Sequence, residues 1–415
     1  MGSLGRDTEG QTARPEQKIP EKKTPELARA RGGLARYVAA AALARTADGG
    51  AVVAIVLMVT TSGAPGWLAG LLGATITAPH LLGPFVARSL DSCRDGRVLI
   101  AGACVVHGAT LAAAVLLYPV AWPVTGFLLV ASGLAGPLLT GGISSRLPAI
   151  AGPDRTSQRR AQGWDVATYG IGGTIGPSVV AAVSAWAGAT AAALILAGAT
   201  LVAAAVVRLL PYAPPAAGPA DIPGPVRTLR IMAVTGRLRR TLYLTVTVAF
   251  SVAALPIAAV ASTALFQVQP AAAGVLTAAY GLGGLAGSAA VMVRPLRGDA
   301  DRLVTRFAGL VAAALAVAAL SASFMPAVAA YAAAGLMNSY FFAATLAARS
   351  EFAPPQVRGQ VFVWVGALKI AAGSAGTAAA GVAITGEPQL PLFLVSALIL
   401  AAAGASVLDR NYQPD

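Results

Sequence analysis

The sequence predicts an all-α integral membrane protein with twelve transmembrane helices in two six-helix halves. Three observations carry this. Apolar residues make up 56% of the 415-residue chain and charged residues only 11%. Soluble domains carry about 25% charged residues, so this chain has too few charges to cover its surface in water, and its mean hydropathy is +0.71. Twelve apolar segments each approach the ~20 residues that cross a bilayer as a helix. In the gaps between them, Lys and Arg occur in every second gap and in no other.

Taken in order, residues 1–32 mix Lys, Arg, Glu, Gly and Pro without apolar periodicity and read as a disordered cytoplasmic tail. Residues 33–210 form a first six-helix bundle, with segments near 37–60, 65–87, 97–118, 122–145, 164–185 and 188–210. A linker, 211–240, is rich in Pro, Gly and Arg. Residues 241–408 form the second bundle, with segments near 241–264, 271–293, 303–323, 326–348, 360–384 and 389–408, and 409–415 is a short tail. Apolar segments follow the charged N-terminus to the end of the chain, which does not read as a cleaved signal peptide.

The charged gaps hold Arg88, Arg94 and Arg97, then Arg146, Arg155, Arg159 and Arg160, and so on through Arg349 and Arg358. The positive-inside rule makes these gaps, and with them both termini, cytoplasmic in a multi-pass protein of the cell membrane. Trp67, Trp122 and Trp186 fall at the opposite ends of their segments, where interfacial aromatics belong. The net charge of +13 is thereby explained by topology, and no nucleic-acid partner is expected. Cys93 and Cys104 are the two cysteines. They offer no disulfide framework, and no Cys/His cluster has metal-ligand spacing, so neither metal nor cofactor is expected.

The stretch Gly163–Ala182, GWDVATYGIGGTIGPSVVAA, stands out. Its glycines and Pro177 would weaken a soluble helix by roughly 1 kcal/mol per Gly, and suit a bent membrane helix packed closely on its neighbours. The halves echo each other here. Tyr169, Gly173 and Gly176 correspond, 200 positions on, to Lys369, Gly373 and Gly376. Repeated six-helix halves with a solute site between them are a known transporter plan.

With these features the chain resembles the major facilitator superfamily over residues 33–408, and within it the bacterial drug and metabolite exporters. After the second segment the family carries Gly-x-x-x-Asp-Arg-x-Gly-Arg-Arg, which braces the cytoplasmic side. Here Gly83, Asp91, Arg94, Gly96 and Arg97 supply the match, with Cys93 at the Asp position and Asp91 two residues early. The fifth segment is similar to the family's antiporter motif, Gly-Pro-x-x-Gly-Gly. Gly176 and Pro177 match, the later glycines are Val180 and Ala181, and Gly172 and Gly173 precede them as packing residues. The resemblance implies proton-linked export and a cavity lined by the first, fourth, seventh and tenth helices, with Ser132, Thr140, Thr245 and Ser251 as minor polar companions.

Candidate residues are ionisable or polar groups where a bilayer makes them costly. Arg45 and Asp48 lie well inside the first segment, where each costs about 2.5–3.5 kcal/mol. Their spacing of three puts them on a similar face, able to pair. Asp48 is the expected proton carrier, with Arg45 tuning it or holding an anionic group. Otherwise the two form a structural ion pair. Asp165, at the start of the fifth segment, reads as a helix cap or a partner of Arg159 or Arg160. Lys369 is too deep in segment eleven to snorkel easily, and is placed in the cavity with Tyr169. His80 and His107 are either proton relays or satisfied hydrogen-bonding groups. In segment ten, Asn338, Ser339 and Tyr340 are cavity candidates beside Phe341 and Phe342. The pairs Gly66/Gly70 and Gly283/Gly287 are read as packing.

The expected function is secondary active export of small amphipathic molecules by proton antiport and alternating access. Import of an organic acid or other nutrient is the alternative, and a non-transporting sensor ranks lower. No catalytic triad, phosphate loop or metal cluster points to an enzyme. The partners expected are the solute, protons and lipid, and the chain is expected to be a monomer.

Overall fold

The structure is a computed structural model and describes residues 2, 23–215, 218, 221–383 and 389–412. Its described residues hold helices and no strand. In chain order they are α1 (Lys23–Thr61), α2 (Gly66–Ser92), α3 (Gly96–Leu117), α4 (Trp122–Ala151), α5 (155–187), α6 (189–208), α7 (Gly236–Leu265), α8 (Pro270–Val293), α9 (Ala300–Leu320), α10 (Phe324–Phe352), α11 (Pro355–Val382) and α12 (Leu390–Tyr412). A short linker helix, Pro225–Val234, precedes α7.

Helices α5 and α6 follow each other without an intervening loop. A continuous 54-residue helix would be about 80 Å long, far more than the ~30 Å apolar core of a bilayer. Gly188, at φ 84° and ψ 160°, breaks it by a backbone conformation only glycine adopts readily. Twelve spans result among the described residues. The start of α1 and the end of α12 therefore lie on one face, called here the termini face.

The predicted 1–32 tail is helical from Lys23 onward, in a run containing Leu27, Ala28 and Ala30 that favours helix, and residues 3–22 lie outside the described residues. α7 likewise starts at Gly236, within the predicted linker.

Two local departures from α geometry matter for the interior. α2 tightens into a 3₁₀ turn at Ala78–Leu82, with Pro79 inside it and Pro84 just after it, whose missing N–H groups interrupt the ladder. α4 widens into a π turn at Leu138–Gly142, directly after Pro137.

Each half has its own apolar core. Leu244, Val248, Val304, Leu315, Tyr331 and Ile399 belong to the second. The first is divided between a cluster around Tyr37, Leu139 and Ile143 and one around Ile55, Leu72 and Leu196. Inside each half the backbones approach at glycines in equivalent places. A methyl group on Gly176 would collide with Thr46 O and Gly50 of α1, and one on Gly376 with Phe250 O of α7. Gly50 and Phe250 are themselves 200 positions apart, so the α1–α5 and α7–α11 crossings are the same crossing repeated. Gly283 and Gly287 similarly meet the backbone of Ala332 and Leu336 on α10. Gly66 and Gly70 do not pack as expected. Nothing lies within 4 Å of a side chain added there, because this end of α2 faces outward beside the exposed Trp67.

Candidate functional site

The halves meet along α5–α8 and α2–α11. On the termini side this seam is closed. Gly163 of α5 lies against the backbone of Val291 and Met292 on α8, and Gly141 of α4 against Phe362 O on α11. Val166, Val291, Phe342, Leu346 and Phe362 fill the space between with a dry cluster. Polar contacts reinforce it. Asp91 accepts the backbone N–H groups of Gly359 and Gln360 at 2.8 and 2.9 Å, which satisfies two orphan donors at the start of α11. Glu351, at the end of α10, pairs with Arg159 at 2.7 Å and Arg155 at 3.3 Å. Both arginines also donate to Gly298 O.

The rest of the motif loop braces its own half. Arg97 pairs with Asp95 at 2.9 Å and donates to Leu210 O just beyond α6. Gly96 lets the Arg146 guanidinium lie against the backbone. Arg94 is exposed, and its carbonyl accepts from Tyr212 OH. Asp95 caps α3, and the Arg97 side chain holds its carboxyl below the usual range.

Away from that seal, a cavity of about 730 Å³ reaches from the middle of the molecule toward the face opposite the termini. Its walls are α5, α8, α10 and α11 with Pro256 of α7. Neither α1 nor α4 contributes a lining residue, contrary to the expectation for α1, α4, α7 and α10. Tyr169, Gly173, Asn338, Ser339 and Lys369 all line it, as do Phe342 and Tyr280. The Lys369 ammonium sits 4.0 Å from the centroid of the Phe342 ring and 5.7 Å from that of Tyr169. The two rings meet edge to face, centroids 4.9 Å apart. Lys369 forms no ion pair among the described residues. Asn338 Nδ2 donates to Tyr280 OH at 2.8 Å, and Ser339 Oγ donates to Gly284 O at 2.7 Å.

Tyr340 is the exception in its cluster. Two residues beyond Asn338 on a helix is the far side, and Tyr340 packs on Phe307 of α9, ring centroids 5.1 Å apart. Tyr280 was not singled out in the sequence. A tyrosine in an apolar Gly-rich run is a packing residue by default, and only the facing Asn338 marks it.

The pairing on α1 also differs from expectation. Arg45 pairs with Asp165 at 2.6 Å, and Asp48 pairs elsewhere. The start of α5 accounts for the burial of Asp165. α5 begins at Arg155 with Asp154 as its cap, accepting the Ser157 N–H at 2.7 Å, so Asp165 lies ten residues inside and is fully buried. It is a core acid, and the reading of it as a terminal cap is set aside. In the π turn of α4, Thr140 O accepts from the Ile143 N–H and also from Arg45 Nη2 at 3.2 Å. Ser144 accepts from Arg45 and donates to Asp165, both at 2.8 Å. Tyr37 OH donates to Asp165 at 2.5 Å, and Thr168 Oγ1 accepts from Arg45. The guanidinium carbon lies 3.6 Å from the Tyr169 ring centroid, linking this network to the cavity wall.

Asp48 faces His80, Oδ1 to Nε2 3.5 Å, at the 3₁₀ turn of α2. Gly136 of α4 makes room for both, since a methyl there would touch the imidazole and the carboxylate. His107 is fully buried, its Nδ1 3.0 Å from Ser132 Oγ. No group of metal-ligating residues gathers among the described residues.

The architecture is that of a known transporter fold. The human organic anion transporter MFSD10 superposes at TM-score 0.69 and 17% identity, over 92% of this chain and 99% of its own. A bacterial homologue of the iron transporter ferroportin, in an outward-facing state, gives 0.73 and 13%, over 91% and 99%. The fucose transporter FucP, in the outward conformation, gives 0.66 and 14%, over 90% and 98%. This chain has the major facilitator fold. No family model and no curated protein sequence matches it. In the major facilitator arrangement the two halves enclose the cavity, and here it is sealed on the termini side.

Proposed function

We propose that this chain is a secondary active transporter that exports a small amphipathic organic anion in exchange for protons, by alternating access of its halves. The observation that carries the solute class is Lys369, a cation on the cavity wall with aromatic faces beside it and no carboxylate paired to it among the described residues. An unpaired ammonium deep in a membrane protein is costly, and an anionic solute would relieve that cost. Phe342, Tyr169 and the apolar wall would take the rest of the molecule, with Asn338, Ser339 and Tyr280 orienting its polar atoms. The substrate class named for MFSD10 agrees with this reading.

Asp48 and His80 are the proposed proton carriers. They form a contact that changes character when either group gains or loses a proton, at a joint between α1, α2 and α4 where the helix is already irregular. Protonation there would favour one orientation of the halves, and solute at Lys369 the other. Arg45 would hold Asp165 and Tyr169 in place. The termini face, with its excess of Arg, is proposed to be cytoplasmic, in the cell membrane, and the working unit to be a monomer.

The test is transport by purified protein in proteoliposomes under an imposed pH gradient, with amphipathic carboxylates, organic cations and neutral sugars in parallel. Carboxylates are expected to move against their gradient as protons return, and an uncoupler is expected to stop them. Transport of cations alone, or transport indifferent to the uncoupler, would overturn the proposal. Movement with the proton gradient instead of against it would favour uptake of an organic acid.

A further inference from the structure

A second, smaller cavity lies in the seam between the halves on the termini side, apart from the solute chamber. Its volume is about 120 Å³, and Asp91, Ser145, Arg146, Arg358 and Gly359 line it, with residues 213–215 of the linker across it. Arg146 comes from α4 of the first half and Arg358 from α11 of the second. Arg146 donates from Nη2 to Leu90 O at 3.0 Å. Its Nε is buried without a hydrogen-bond partner among the described residues, and the Nε of Arg358 is in the same condition. Neither arginine forms an ion pair among the described residues.

Among the described residues Asp91 is the only carboxylate in the lining, and its oxygens already receive the N–H groups of Gly359 and Gln360. Two guanidiniums therefore face one committed carboxylate, and the lining carries one excess positive charge. Arg146 and Arg358 are half-buried, with only their Nε atoms fully enclosed. Water would satisfy the free N–H donors and leave the excess charge in a partly desolvated site without a counter-charge, which is unfavourable. The volume leaves room for a compact ion with accompanying water, given a water's share of about 30 Å³.

We propose that this cavity binds a single compact monovalent anion of the halide class, which bridges Arg146 and Arg358 and holds the halves together on the termini side. Opening of that side draws α4 and α11 apart and divides the two arginines between the halves. The anion therefore binds the closed seam better than the open one and biases the orientation toward it. This role is independent of what the solute chamber carries.

The full chain, purified in detergent and sodium gluconate, is titrated with sodium chloride at constant ionic strength while thermal unfolding is followed. A saturable rise in Tm is expected, together with binding of radiolabelled chloride to a single site per chain. Arg146→Gln and Arg358→Gln are each expected to abolish the chloride-dependent rise, and Arg94→Gln, at an exposed arginine of the same loop, to retain it. Should either of the first two variants fail to fold, chloride binding to the unaltered protein decides. Equal Tm in chloride and gluconate with no bound label, or an undiminished chloride effect in folded Arg146→Gln and Arg358→Gln proteins, would overturn the proposal.

Discussion

Tyr169 and Lys369 stand 200 positions apart in the chain and face each other across the two halves, the ammonium 5.7 Å from the ring centroid. The α1–α5 and α7–α11 crossings repeat with that same offset. Two positions related by the pseudo-two-fold can approach this closely only if both lie near its axis. The base of the chamber is therefore the axis itself, where one half supplies an aromatic face and the other a charge.

Lys369→Gln should weaken binding of an anionic solute about tenfold to a hundredfold, the value of a charge-assisted hydrogen bond of about 1.5–3 kcal/mol. It should leave Tm unchanged or raise it, since Lys369 has no ion partner among the described residues to be stranded and the variant loses a costly unpaired charge. Kd or KM for the solute, read beside thermal unfolding, checks both. Unaltered affinity would remove Lys369 from the site.

Arg45 and Asp165 are both buried and satisfy each other. Asp165→Asn or Arg45→Met should each cost about 3–5 kcal/mol, because a charge is left without its counterpart. The double replacement Arg45→Met with Asp165→Leu should cost less than either single one. Unfolding of the three proteins in one detergent measures this, and additive losses would contradict a coupled pair.

The repeated crossings offer a matched comparison. Gly176→Val and Gly376→Val each force a side chain into the backbone of α1 or α7, and overpacking of about 1–3 kcal/mol or more is expected at both. Gly173→Ala meets nothing within 4 Å and should leave stability intact while narrowing the chamber it lines. Its readout is the size limit of transported solutes.

On the termini face, Asp91→Ala strands the N–H groups of Gly359 and Gln360, and Glu351→Gln removes the partner of Arg155 and Arg159. Both should favour opening of that side. Cys93, half-buried in the loop that carries Asp91, should alkylate several-fold faster in each variant, while buried Cys104 stays silent. Unchanged alkylation would show that the seal does not depend on these contacts.

The Asp95–Arg97 contact adds a mild pH dependence. Asp95 has a folded pKa below its unfolded value of about 3.9. Its contribution to stability is present above that unfolded value and is lost as pH falls through the folded one. Acid unfolding of Asp95→Asn should therefore show a smaller loss between about pH 4 and the acid limit than the unaltered protein. An identical pH profile would leave Asp95 without that role.

What the sequence determined by itself was the membrane architecture. Hydropathy and the alternation of Arg carry the twelve spans and the shared side of the termini, because a bilayer imposes its length and charge rules on each segment separately. The offset of 200 was legible for the same reason, as a close helix crossing demands glycine locally in each half. Lys369, Asn338 and Ser339 stood out because polar groups in apolar segments are conspicuous, and Tyr169 through the 200-residue offset; all four line the cavity. Only the tertiary structure decided who pairs with whom. Arg45 and Asp48 are neighbours on one helix, yet Arg45 meets Asp165, ten residues inside α5, while Asp48 meets His80 at the 3₁₀ turn of α2. Pairing depends on helix phase and on where a helix begins, and a residue or two of irregularity redirects a side chain without leaving a mark on hydropathy.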